Sequence, residues 1–300
     1  MTNNSELLDQ HESKIKDEAS GIPGLVENWD FSSISVPRWQ RREFMEILIR
    51  NGHLRPQSFI VKPLTRKSIW FVYFIYTPSG EMTLAHKFTL SRLRDLGVGI
   101  CVVCATKDRS LVPDNLSIFA DAIFWKAPEG YDFSAYSLAL WEIACHSPGA
   151  DVFIMNDSVF GPFNDLRQVL DKTPWELTGF TASSQLTNHI QSYAFILRNV
   201  DRMRMLKLSS VFFPFLALSN PSDVVKVQET RLARVAARTM KVGAFWFGDQ
   251  RDVIDPTLVR PFELMDAGFP FLKRSLLGKH KKFQNTDAVI ARLKSIGHPI

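Results

Sequence analysis

Three hundred residues, 45% of them hydrophobic, are enough to bury one large α/β core. The net charge of +5 is modest for this length, with no long basic run except near Lys273 to Lys282, so a nucleic-acid partner is not expected. No window reaches the roughly 18 apolar residues of a membrane span, and three cysteines, Cys101, Cys104 and Cys145, argue against a disulfide framework.

Residues 1–24 are charged and poor in large apolar groups, so they read as a flexible polar tail. They lack an apolar signal core, which predicts a cytoplasmic address. Over residues 41–50, Phe44, Ile47 and Leu48 fall on one helical stripe, the mark of a packing helix within an N-terminal helical appendage of residues 25–67. The first core strand is SIWFVYFIY at 68–76, ended by Thr77-Pro78-Ser79-Gly80. A helix over 84–96, a strand at 99–105, another near 120–125, a helix over 133–145 and a fourth strand at 151–155 follow. This alternation predicts an α/β fold with a parallel sheet and right-handed crossovers. Cys101 and Cys104 have a redox spacing, but on a strand their side chains face opposite sides, so both read as buried structural cysteines.

The fourth strand is the most informative stretch. In DVFIMNDSVFGPF an apolar run stops in Asn156-Asp157-Ser158, and Gly161-Pro162 then breaks the chain before Leu166, Val169 and Leu170 recur at helical spacing. The triplet therefore sits in a strand-to-helix loop at the carboxyl end of a strand, where open α/β sheets bind ligands. Such residues also favour turns for local hydrogen bonding alone. Beyond residue 178 the pattern is less regular, with apolar pieces at 192–197 and 211–218 and a helix over 222–240.

Several segments repeat in order the pattern of one family. GYDFSAY at 130–136, the Asn156-Asp157-Ser158 loop, WELTG at 175–179, HIQSY at 189–193, Glu229 in VQETRLAR and DAGFPFLKRSLL at 266–277 together resemble the rhamnan synthesis F family of bacterial glycosyltransferases. The resemblance covers about residues 68–277, and it departs where Gln228 stands before Glu229 in place of the family's usual Tyr. It implies a nucleotide-diphospho-sugar transferase-like (GT-A type) fold, a Rossmann-like, mostly parallel sheet flanked by helices. The transferase domain would span 68–300, with the donor side at about 68–165 and the acceptor side at about 166–300.

Transfer from a nucleotide sugar leaves a diphosphate whose charge needs a divalent cation or basic side chains. Asn156-Asp157-Ser158 occupies the place of the Asp-x-Asp motif of that fold with one acidic position present. Asp157 is thus the expected ligand for Mg or Mn, whose remaining oxygens the donor phosphates supply. Lys273 and Arg274 are the expected diphosphate clamp, or else a solvated basic helix start. Tyr76, Thr77 and Ser79 follow the first strand, where base and ribose meet a strand-end loop. Asp132 either binds a sugar hydroxyl or caps its helix. For the general base of an inverting transfer, Glu229 comes first and His189 second, with Gln191 and Ser192 positioning the substrate.

The leading expectation is transfer of a sugar, by resemblance L-rhamnose from dTDP-rhamnose, to a surface polysaccharide or its lipid-linked precursor. The partners are then a nucleotide-sugar donor and a glycan or lipid-linked glycan acceptor, at the cytoplasmic face of the inner membrane, where Arg274, Lys279, Lys281 and Lys282 could meet anionic lipid. A catalytically silent glycan-binding protein on the same fold is the alternative, supported by the missing second Asp. No carboxylate pair suggests a glycoside hydrolase, and no Gly-x-Gly-x-x-Gly follows the first strand as a dinucleotide enzyme requires.

Overall fold

The computed structural model describes residues 22, 24–32, 38–249 and 255–300. The polar tail expected over residues 1–24 falls, apart from Ile22 and Gly24, outside them. The chain runs through β1 (Leu25–Asp30), α1 (Arg38–Asn51), β2 (Gly52–Leu54), β3 (Ser58–Lys62), β4 (Ile69–Tyr76), α2 (Leu84–Arg94), β5 (Gly99–Ala105) and β6 (Ala122–Lys126). It continues through α3 (Tyr131–His146), β7 (Ala150–Asn156), β8 (Val159–Phe160), α4 (Leu166–Lys172), β9 (Leu177–Ser183), β10 (His189–Ile190), β11 (Ala194–Val200) and α5 (Arg202–Leu208). Then come β12 (Leu216–Leu218), α6 (Pro221–Val224), a π-helical turn (Val225–Glu229), α7 (Thr230–Ala236), β13 (Val242–Gly248), β14 (Leu272–Lys273) and α8 (Thr286–Ser295).

The main sheet has the order β1-β13-β9-β11-β7-β4-β5-β6-β3, with β10 paired to β9. β4 is parallel to β5 and β7, β5 to β6, and β9 to β13. β11 runs against both β7 and β9, and β1 and β3 close the two edges antiparallel. The sheet is thus mostly parallel, as expected, with one reversed strand at its centre. The reversal follows from the short link between β9 and β11, since a parallel return needs a crossover of about a dozen residues or more. Residues 25–67, expected as a helical appendage, supply α1 and also both edge strands.

Helices cover both faces, so the central strands are apolar throughout. Along β4, Trp70, Val72 and Phe74 join one core cluster while Phe71, Tyr73 and Ile75 join the other. Cys101 and Cys104 divide the same way across β5, as the two-residue period requires. Burying each such side chain stabilises the fold by about 2 kcal/mol, which holds the carboxyl ends of β4 and β7 in register.

Candidate functional site

β4 and β7 end side by side, and the loops leaving them open into a cavity of about 800 Å³. Asp157 follows β7, and its amide donates to the Phe74 carbonyl at 3.1 Å. Its Oδ2 accepts from the Tyr76 amide at 3.1 Å and from His86 Nε2 at 3.1 Å. The Arg274 guanidinium donates to the Asp157 carbonyl at 2.9 Å and stands 3.6 Å from Oδ2. His86 lies in the first turn of α2, where its amide donates to the capping Thr83 hydroxyl at 3.2 Å, while the Thr83 amide donates to His86 Nδ1 at 3.3 Å. Nδ1 being an acceptor, the ring hydrogen sits on Nε2 and points at Asp157. Asp157 is therefore a fixed carboxylate, with Oδ1 accepting no hydrogen bond among the described residues.

Asn156 ties the loop together. Its side-chain oxygen accepts from the Ser158 amide at 3.0 Å and hydroxyl at 2.5 Å, and its Nδ2 donates to Asp132 Oδ2 at 3.1 Å. Asp132 stands in the first turn of α3, and its other oxygen accepts the Phe133 amide at 2.9 Å, so it satisfies its helix end and lines the cavity at once. Burial, reinforced by the nearby Glu229 carboxylate, pushes its pKa up to about 6. Gly130 precedes the helix with φ +82°, and a Cβ there would come within 2.9 Å of Ala217, so the glycine lets β12 close against the cavity wall.

Elsewhere in the cavity lining, Glu229 Oε2 accepts from the Ser192 amide at 3.0 Å and from the Ser192 hydroxyl. Glu229 ends the π-helical turn, whose extra residue interrupts the helix expected over 222–240. Such turns re-aim side chains and recur at functional sites. His189 stands on strand β10, where residues 189–190 pair with β9. Its Nδ1 donates to the Thr187 carbonyl at 2.8 Å and its Nε2 lies 3.9 Å from Glu229 Oε1, behind the carboxylate and off the cavity lining. Gln191 accepts from the Thr181 hydroxyl and donates to Asp255 Oδ2 at 3.1 Å.

Lys273 lies 3.9 Å over the Tyr193 ring. Burial lowers its pKa, opposed by Asp255, Glu229 and Asp132 across the cavity. Of the residues predicted from sequence, Tyr76, Asp132, Asn156, Asp157, Ser158, Gln191, Ser192, Glu229, Lys273 and Arg274 line this one cavity. Thr77 is instead buried against Cys104 Sγ at 3.4 Å, and Ser79 sits exposed in the turn beyond. Lys279, expected on an outward lipid-facing patch, lines the cavity with Arg274, while Lys281 and Lys282 face outward.

Sequence reasoning missed His86, Asp255, Tyr131 and Lys126. Lys126 is buried and donates to the carbonyls of Ala127 and Glu129 at 2.8 Å each, shaping the loop before Gly130, and burial lowers its pKa to about 8. Only the Thr83-x-x-His86 spacing hinted at His86, and it reads as a helix cap. Among the described residues no group of three or more acidic, His or Cys side chains stands together, so a divalent cation would be held by Asp157 with its further oxygens supplied by a bound phosphate.

Residues 100–296 match the family model described as rhamnan synthesis protein F. The chain belongs to the rhamnan synthesis protein F family. Membership makes it a glycosyltransferase of polysaccharide biosynthesis. Its fold is α/β, a mostly parallel sheet flanked by helices. Solved structures similar to it include the inositol-1-phosphate CTP transferase from T. maritima, at 12% identity and TM-score 0.40, covering 67% of this chain and 96% of that one. The galactosyltransferase LgtC, solved with donor and acceptor sugar analogues, is similar at 12% identity and TM-score 0.37 over 58% of this chain and 72% of its own. The glycosyltransferase GlyE from Streptococcus pneumoniae TIGR4 is similar at 9% identity and TM-score 0.34 over 79% of this chain and 65% of its own. No curated protein matches.

Proposed function

We propose that the cavity transfers L-rhamnose from dTDP-rhamnose to a growing cell-surface polysaccharide or its lipid-linked precursor, with inversion. The observation that carries this reading is that Asp157, Arg274, Lys273 and Glu229 all line one cavity of about 800 Å³. The rhamnosyl identity rests on the family description alone.

In this reading Lys273 and Arg274 hold the donor diphosphate and meet the charge it develops on leaving. A cation held by Asp157 Oδ1 and the phosphates would supply further positive charge to the leaving group. Ser192 fixes Glu229 Oε2, which leaves Oε1 to take the acceptor hydroxyl's proton. As that proton leaves, the acceptor oxygen bonds to the anomeric carbon, the bond to the phosphate oxygen breaks, and the nucleoside diphosphate departs with the bonding pair. Asp132 and Asn156 are placed to receive sugar hydroxyls, and His189 backs Glu229 as a positioning group. Peripheral association with the cytoplasmic face of the inner membrane belongs to the same proposal, since a lipid-linked acceptor lies there.

Glu229→Gln tests the assignment. Transfer should fall by about 10²- to 10⁴-fold while donor affinity, read by calorimetric titration, stays close to wild type; unchanged transfer would remove Glu229 as the base. The fixing of Asp157 Oδ2 by His86 and Tyr76, with a single free oxygen, also favours a second reading, a glycan-binding protein without turnover. Glycan binding without donor binding in the same titration would establish it.

A further inference from the structure

The described surface holds an arginine cluster outside the cavity. Arg231 and Arg234 lie on α7 and Arg238 just beyond it, at i, i+3 and i+7, so they share one face. Arg41 on α1 joins them, because α1 packs against this stretch with Phe44 beneath the Arg231 guanidinium at 3.8 Å. Arg231 is partly satisfied by the carbonyls of Ser210 and Val227 at 2.9 and 3.1 Å. Arg234 Nη1 is buried with no hydrogen-bond partner, and Arg41, Arg234 and Arg238 have no ion pair among the described residues. The nearby acids are already engaged: Glu43 with Lys226 at 2.9 Å and Glu46 with Arg42 at 2.8 Å. Burial and mutual repulsion lower the pKa of Arg234 and push that of Arg231 down to about 10. Among the described residues this cluster has no anionic partner.

Next to it the surface is apolar. Met45 and Ile49 continue the Arg41 stripe at i+4 and i+8 along α1 and are 52% and 79% exposed. α1 leads directly into β2, where Leu54 is 80% exposed and stands opposite Leu216 on β12, with Phe215 76% exposed beside it. Large apolar side chains flanked by uncompensated arginines fit the interface of an anionic bilayer, with aliphatic and aromatic groups entering the acyl boundary and guanidinium groups meeting phosphates. β12 also runs into Ser219 and Pro221, which line the cavity. The same edge would bring a lipid-borne acceptor to the site.

We propose that the face formed by α1, the β2–β12 ribbon and the arginines of α7 docks onto an anionic phospholipid membrane and presents the cavity to it. The proposal rests on the reading of a lipid-linked acceptor, yet it can fail separately. The test is flotation with vesicles of equimolar phosphatidylglycerol and phosphatidylcholine, or of phosphatidylcholine alone, using wild type, Ile49→Asp with Phe215→Asp, and Arg234→Gln with Arg238→Gln. Wild type should float only with anionic vesicles and less at high salt. The aspartate pair should abolish flotation, and the glutamine pair should weaken it by about fivefold per arginine removed. All should keep the wild-type melting temperature and transfer to a soluble acceptor without vesicles. Flotation with neutral vesicles alone, unaffected flotation of both variants, or no flotation of wild type would overturn the proposal. So would Arg234-dependent stabilisation by inorganic phosphate without flotation, which would assign the cluster to a soluble anion, or a dimer in light scattering that the aspartate pair dissociates without any flotation. Vesicle binding with no sugar transfer by wild type would count against the proposed function alone.

Discussion

Asp157 is held from three directions, by a backbone amide, the His86 ring and Arg274, so its role can be separated from its fixing. Asp157→Ala should lower transfer by about 100-fold or more while the protein stays folded, because the carboxylate faces the cavity and the core lies elsewhere; near-normal turnover would remove the assignment. His86→Ala should cost about 10- to 100-fold by loosening that carboxylate, with Glu229 chemistry and the pH profile unchanged. Asp132 makes the clearest pH prediction. Its folded pKa of about 6 lies above the usual carboxylate value, so the folded state keeps a proton that the unfolded chain has released. Stability is therefore lost as pH rises from about 4 to 6, by up to about 3 kcal/mol. Denaturation midpoints of Asp132→Asn against wild type should shift in favour of the variant over that window and be level above it. A constant difference at all pH values would contradict the burial argument.

Among the elements, the strands and helices flanking Asp157 were legible in sequence because buried parallel strands are continuous apolar runs and their helices repeat every 3.6 residues. β4 and β5 lie where those runs place them. The π-helical turn before Glu229 was not legible, since its residues carry the same helical periodicity as an uninterrupted helix. Its function can be tested directly. Deleting Lys226, which restores ordinary helical phase, should turn Glu229 away from Ser192 and abolish transfer while donor binding on the Asp157 wall survives. The strand that carries His189 was not legible for a related reason: two residues of strand are too short to show a period, and only pairing with β9 defines them.

At the scale of the molecule, the cavity joins residues far apart in sequence, from Tyr76 to Arg274. Sequence motifs located most of its polar groups because polar residues interrupt apolar runs at strand ends. They could not show that Thr77 turns inward to Cys104, nor that His86 and Asp255 face the site, because those placements arise from the return of the chain over the sheet. The central claim is that this cavity binds a nucleotide-diphospho-sugar at Asp157, Lys273 and Arg274. The most direct measurement is a thermal-shift panel of nucleoside diphosphates and nucleotide sugars, with and without Mg or Mn, on wild type and Asp157→Ala. The account predicts that dTDP and dTDP-rhamnose stabilise wild type, more with the cation, and that Asp157→Ala loses the cation-dependent part. No stabilisation by any nucleotide under any cation condition would contradict it.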